Sequence, residues 1–109
     1  MLGLVLKVTK LQHSSRIYVP VKVFSQFTGV DRGEYYNKAY LRLTCYGDGL
    51  AIVIDEGGDG VPVTVHSKKL KTGGYIRYIT IPFLLHKILG DRSYVVTEVC
   101  KGHMLLKVL

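Results

Sequence analysis

Apolar residues alternate with mixed ones at Leu2, Leu4, Leu6 and Val8, which predicts a strand over residues 2–10. Residues 15–19, rich in β-branched and aromatic types, predict the next strand. Pro20 then suits the first turn of a helix, where its missing N–H costs nothing. Val23, Phe24 and Phe27 fall on one face of that helix, and Gly29 is placed to end it. Residues 39–46 and 50–54 read as a hairpin around Gly47-Asp48-Gly49. The pattern then begins again, with strands over 61–69 and 75–81, a helix over 83–89 and strands over 94–100 and 103–108. In the second helix only His86 and Lys87 are polar, which predicts burial on most sides.

The order strand–strand–helix–strand–strand thus occurs twice. Arg16-Ile17-Tyr18-Val19-Pro20 aligns with Tyr78-Ile79-Thr80-Ile81-Pro82 at an offset of 62. Cys45, Gly47, Leu50 and Val53 align with Cys100, Gly102, Leu105 and Val108 at an offset of 55. The difference places about seven extra residues of the first copy around 31–39. The first repeat covers residues 1–54 and the second 63–109. The acidic, glycine-rich stretch 55–62 between them reads as a flexible linker or long turn. A two-turn helix and four short strands cannot bury both their faces alone. The expectation is therefore one pseudo-twofold domain over 1–109 with a joint core, mainly β with short helices.

Composition narrows the function classes. At 109 residues and 48% hydrophobic, the chain suits one folded domain rather than a disordered segment. No apolar run is long enough for a membrane-spanning helix. No basic region precedes the apolar start and no cleavage site follows it, so the expected compartment is the cytoplasm. Two cysteines and four scattered histidines show no metal-ligand spacing, and no metal or cofactor is expected. His13, Ser14 and Ser15 are adjacent, but no carboxylate is placed to orient the histidine, so the chain does not read as an enzyme. The net charge of +7 points instead to a polyanion, usually nucleic acid. Residues 1–54 carry +4, residues 55–62 carry −3 and residues 63–109 carry +6, so both repeats are basic and the linker is not.

Arg16-Ile-Tyr-Val-Pro20, followed by Gly29-Val30-Asp31-Arg32-Gly33, resembles the AbrB/SpoVT/MazE-like family. Ser15-Arg16 stands where that family has Gly-Arg, and Gly33-Glu34 where it has Gly-Asp. The second repeat keeps Ile79-Thr-Ile81-Pro82 and Leu89-Gly90, but has Tyr78 in place of the arginine and lacks the second glycine. The resemblance implies a single-chain pseudo-dimer with an AbrB-like swapped-hairpin barrel, and double-stranded DNA as the partner of a transcription regulator. A related, duplicated barrel that serves as a protein-interaction module is the alternative.

The resemblance also implies where DNA would be met: the hairpin before the proline strand and the start of the helix. Arg16 matches the family arginine, and a guanidinium can bind phosphate bidentately or read guanine edges. Lys10 and His13 share its hairpin. In the second repeat the corresponding arm holds Lys68, Lys69, Lys71 and Arg77 beside Gly73-Gly74. Lys22 and Lys87 lie on the helices. Each of these is otherwise a solvated surface charge. Cys45 and Cys100 read as equivalent small buried residues, with a bridge between them left open. Tyr18, Tyr75 and Tyr78 suit either cross-strand packing or stacking on bases. Leu105, Val108 and Leu109 leave the last strand apolar to its end, which points to self-association, for example as a homodimer.

Overall fold

A computed structural model describes residues 3–109; Met1 and Leu2, the start of the expected first strand, lie outside them. The described residues are mainly β, with two short helices and one nine-stranded antiparallel sheet. The first half supplies β1 (Val5–Leu6), β2 (Val8–Lys10), β3 (Ser14–Tyr18), α1 (Val21–Thr28), β4 (Tyr35–Tyr46) and β5 (Gly49–Asp55). The second supplies β6 (Val61–Lys69), β7 (Tyr75–Pro82), α2 (Phe83–Leu89), β8 (Tyr94–Cys100) and β9 (His103–Val108).

Strand order is β1-β8-β9-β5-β4-β6-β7-β3-β2. Its two ends, β1 and β2, are separated in sequence by Lys7 alone. The same N-terminal stretch pairs with β8 through Val5 and Leu6, then with β3 through Val8 to Lys10. The sheet therefore curls into a nearly closed barrel, which leaves few backbone groups on a free edge. Two-stranded hairpins of the two halves alternate around it: β3 pairs with β7, β4 with β6, β5 with β9 and β1 with β8.

Period-two alternation sends Ile17, Val63, Val65, Ile79, Ile81, Ile52, Ile54, Met104 and Leu106 into the interior. Val23, Phe24 and Phe27 of α1 and Leu85 and Leu89 of α2 join that same core. Pro20 and Pro82 sit at the N-caps of the two helices. Gly29 ends α1 at φ 79°, a left-handed conformation that suits glycine, and its N–H donates to the Ser25 carbonyl.

Several expectations are corrected. The extra residues of the first repeat do not form a loop alone: they lengthen β4, whose segment from Tyr35 to Leu41 runs along β6. Of the two readings of the 55–62 stretch, the long turn is the one that forms. Asp55 belongs to β5, the Glu56 N–H donates to the Gly102 carbonyl, and Gly60 packs against the backbone of Leu41. Helix α2 is half exposed, since Leu84 and Ile88 are 76% and 72% accessible, whereas His86 is buried beside Asp91.

Cys45 and Cys100 are free, exposed and not equivalent. Tyr46 pairs with Gly49 and Cys100 with His103, so Cys100 corresponds to Tyr46, one residue away from the sequence alignment. A one-residue slip reverses the face of every side chain. Finally, β9 is paired on both sides and Val108 is buried, so both edges of that strand are used within the chain, while Leu109 is exposed.

Candidate nucleic-acid interface

Strands β6, β7, β3 and β2 are consecutive in the sheet, so the two hairpins form one four-stranded wall. Because β3 and β7 run antiparallel, the hairpin tips lie at opposite ends of this wall. Ser14 pairs with Pro82, which puts the Lys10–His13 turn beside the start of α2. At the other end the Val19 N–H donates to the Arg77 carbonyl, which puts the β6–β7 arm beside the start of α1. Each hairpin thus meets the helix of the other half.

The candidate residues sort accordingly. Lys68, Lys69, Lys71 and Arg77 gather with Lys22 at one end, and Lys10 and His13 with Lys87 at the other. All are exposed except Arg77, which is half-buried. Lys69 pairs with Tyr75, and Lys10 pairs with Ser15 opposite Ile81. Six residues of β7 separate those levels, which at a strand rise of ~3.4 Å is about 20 Å. The Arg77 guanidinium approaches the Asp31 carbonyl at 3.5 Å and the Tyr75 ring at 5.9 Å. Lys87 lies 5.3 Å from the Phe83 ring.

Arg16 falls inside the strand expected over residues 15–19 and not in the turn of its hairpin. It lies within β3, half-buried on the outer face, with its guanidinium carbon 4.1 Å from the centroid of the Tyr78 ring. Its Nε is buried and has no hydrogen-bond partner among the described residues.

The outer face carries two ordered rows. Register aligns Lys38, Thr64, Thr80, Arg16 and Thr9 across β4-β6-β7-β3-β2. It aligns Tyr36, His66, Tyr78 and Tyr18 in the neighbouring row. Tyr78 is the fixed centre of the second row: it is buried, its hydroxyl lies 2.8 Å from His66 Nδ1, and Tyr18 meets its ring edge-on at 6.0 Å. Of the three tyrosines expected either to pack or to stack, Tyr78 packs. Tyr18 and Tyr75 are half-buried and line an open groove of about 360 Å³ between the start of α1 and the start of β7.

Sequence reasoning missed the distribution of acids. All eight lie within 31–59 or 91–98. Residues 1–30 and 60–90, which supply β2, β3, β6, β7 and both helices, contain nine Lys and Arg and no Asp or Glu. The rest of the chain has six bases against eight acids. Net charge hid this polarity, which the spacing of the acids alone would have exposed. Sequence reasoning also missed Lys38 and the exposed Tyr36.

Opposite this wall, Asp55 accepts hydrogen bonds from Arg42 at 2.5 Å and from His103 Nδ1 at 2.6 Å. Burial alone would raise its pKa, but these two partners outweigh that and hold it below the ordinary carboxylate value. Among the described residues no group of three or more His, Cys, Asp or Glu is placed to hold a metal ion, and no helix is long and apolar enough to cross a membrane. No family model, curated protein or solved structure matches this chain.

Proposed function

We propose that this chain is a nucleic-acid-binding protein that meets duplex DNA, as a transcription regulator does, through the wall β6-β7-β3-β2. One observation carries the reading: nine bases and no acid on the segments that build this wall and its flanking helices. A surface of one sign concentrates polyanions, and phosphate contacts supply most of the affinity of such complexes.

The strand pairings support the finer architecture implied by the resemblance, two repeats joined as a pseudo-dimer with exchanged hairpins. Ile17 pairs with Ile79, its own counterpart at the offset of 62, and Arg16–Thr80 is the image of Tyr18–Tyr78. The pairing of β6 with β4 has its counterpart in β1 with β8. On this reading a twofold axis crosses the wall at its centre and each end presents one basic arm.

Titration of labelled duplex DNA over a range of salt tests the reading. With about six phosphates engaged, log affinity against log salt has a slope near −5. Lys69→Ala weakens binding to all sequences alike and makes the slope shallower by about one. Binding indifferent to salt, or unchanged after joint loss of Lys68, Lys69, Lys71 and Arg77, would overturn it.

The second reading, a protein-interaction barrel, is favoured by Leu84 and Ile88. They stand one turn apart on α2, exposed, with Phe83 also 38% accessible. Under that reading Leu84→Glu abolishes partner capture and the basic wall is dispensable.

A further inference from the structure

The outer face of the wall has an aromatic component that phosphate binding leaves unexplained. Tyr36 is 63% exposed, although it sits within β4, and its ring meets His66 edge to face at 5.2 Å. From Tyr36 the aromatic row runs across three strand spacings to Tyr18, about 14 Å away. Tyr18 opens into the groove, whose far side is Tyr75, with the Arg77 guanidinium near its ring. The row is therefore fixed at its centre, where Tyr78 is buried, and accessible at both ends.

Tyr18, Tyr36 and Tyr75 are only partly covered by the fold. Tyr36 leaves most of its ring in water, and the groove holds Tyr18 and Tyr75 half-covered, with room beside them. Rings displayed on a sheet surface next to basic residues suit one ligand chemistry well, a planar heteroaromatic base tethered to phosphate. Lys68 follows His66 on the same face of β6, and Arg16 occupies the adjoining row. Paired bases inside a duplex cannot present their faces to such rings, whereas unpaired bases can.

We infer that the outer face of β4-β6-β7-β3 is a stacking platform for unpaired nucleobases, with Tyr36 at one end and the Tyr18–Tyr75 groove at the other. Its ligand is a single-stranded stretch of two or three nucleotides whose phosphates follow Lys68, Lys69 and Arg77. This rests on the reading of the wall as a nucleic-acid surface and adds contacts to unpaired bases beside the phosphate contacts of the basic arms.

The test uses the full chain with labelled oligothymidine and with a duplex of equal length at one salt concentration. Because the chain has eight tyrosines and no tryptophan, tyrosine emission reports stacking directly. Oligothymidine is expected to quench it, whereas the duplex, whose base faces are covered, is not. Tyr36→Ala and Tyr75→Ala each weaken oligothymidine binding about tenfold or more. Tyr36→Phe retains it, and duplex binding changes less than about twofold in both Tyr36 variants, since Tyr36 lies outside the basic arm. Thermal melts of the variants exclude a folding defect. If Tyr36→Ala and Tyr75→Ala leave oligothymidine affinity unchanged while Lys69→Ala lowers it, the platform is wrong and the basic surface stands. If neither nucleic acid binds at low salt, the basic surface is wrong and the platform falls with it.

Discussion

Arg16 and Tyr78 occupy corresponding positions at the offset that aligns Pro20 with Pro82, and the structure stacks one on the other: the guanidinium carbon lies 4.1 Å from the ring centroid. They are diagonal neighbours across β3 and β7, since Arg16 pairs with Thr80 and Tyr18 with Tyr78. A guanidinium over the face of a π-system is attracted by the ring's negative face.

Arg16 should accordingly contribute to stability as well as to binding. Its stem and guanidinium cover a ring that is 4% exposed. Arg16→Ala is expected to cost about 1 kcal/mol, through lost packing and the lost cation–π contact. Arg16→Lys keeps the charge but loses the planar stack, and should fall between. Urea midpoints of the three proteins check this order; an Arg16→Ala protein as stable as the parent would show the contact to be incidental.

Local punctuation was legible in the sequence, and long-range register was not. Pro20, Gly29, Pro82 and Gly90 bracket helices within a residue of where they form, because capping is decided by a few neighbouring backbone angles. The equivalence of Cys45 and Cys100 failed for a reason that lies in the turns. Gly47 takes positive φ at the first position of its two-residue turn, whereas Gly102 does so at the second. Aligning glycine on glycine therefore slips the hairpins by one. The basic arms were visible as lysine clusters, but their placement beside the opposite helices depends on the β3–β7 pairing, which joins residues about sixty apart in sequence.

Gly60 should be the least replaceable residue of the acidic segment. Its φ is +139°, and a Cβ there would lie 2.3 Å from the Leu41 carbonyl oxygen and 2.8 Å from its carbon. Either the turn or the start of β6 on β4 must move to admit a methyl group. Gly60→Ala is expected to cost about 2 kcal/mol or more. Gly57 has open space around it, and Gly57→Ala should stay within ~0.5 kcal/mol. Chemical denaturation of the pair measures the contrast, and equal midpoints would refute the close approach.

Asp55 should make stability fall in acid. Its pKa is depressed in the folded chain by Arg42 and His103. A depressed carboxylate contributes stability that is fully present above the unfolded value, about 3.9, and is lost as pH falls through the lower folded value. The pair with Arg42 is partly exposed, so the contribution should stay below ~1 kcal/mol. Melting temperatures of the parent and of Asp55→Asn should differ by a constant amount above about pH 5 and converge below about pH 4. Curves that stay parallel through that window would mean that Asp55 has no coupling to the fold.

Neither half should fold by itself as a monomer. Among the described residues up to 54, the strand ladders are β2 with β3 and β4 with β5, two hairpins with no ladder between them. Residues 63–109 likewise retain β6 with β7 and β8 with β9. The four ladders that join these hairpins into a barrel all cross between halves. An isolated hairpin is marginal in water, and a two-turn helix adds little without a core to receive Phe24 and Phe27 or Leu85 and Leu89. Expressed separately, each half is expected to lack a cooperative thermal transition at low concentration. Mixing the two should restore one, because the broken covalent link lies in the 55–62 turn and not in the core. If the repeats are pseudo-equivalent, either half at high concentration should also pair with itself, giving a dimer that melts at a concentration-dependent temperature. Light scattering combined with circular dichroism separates these cases. A cooperative transition in a half that scatters as a monomer would mean that the halves are independent and that the inter-half ladders are dispensable.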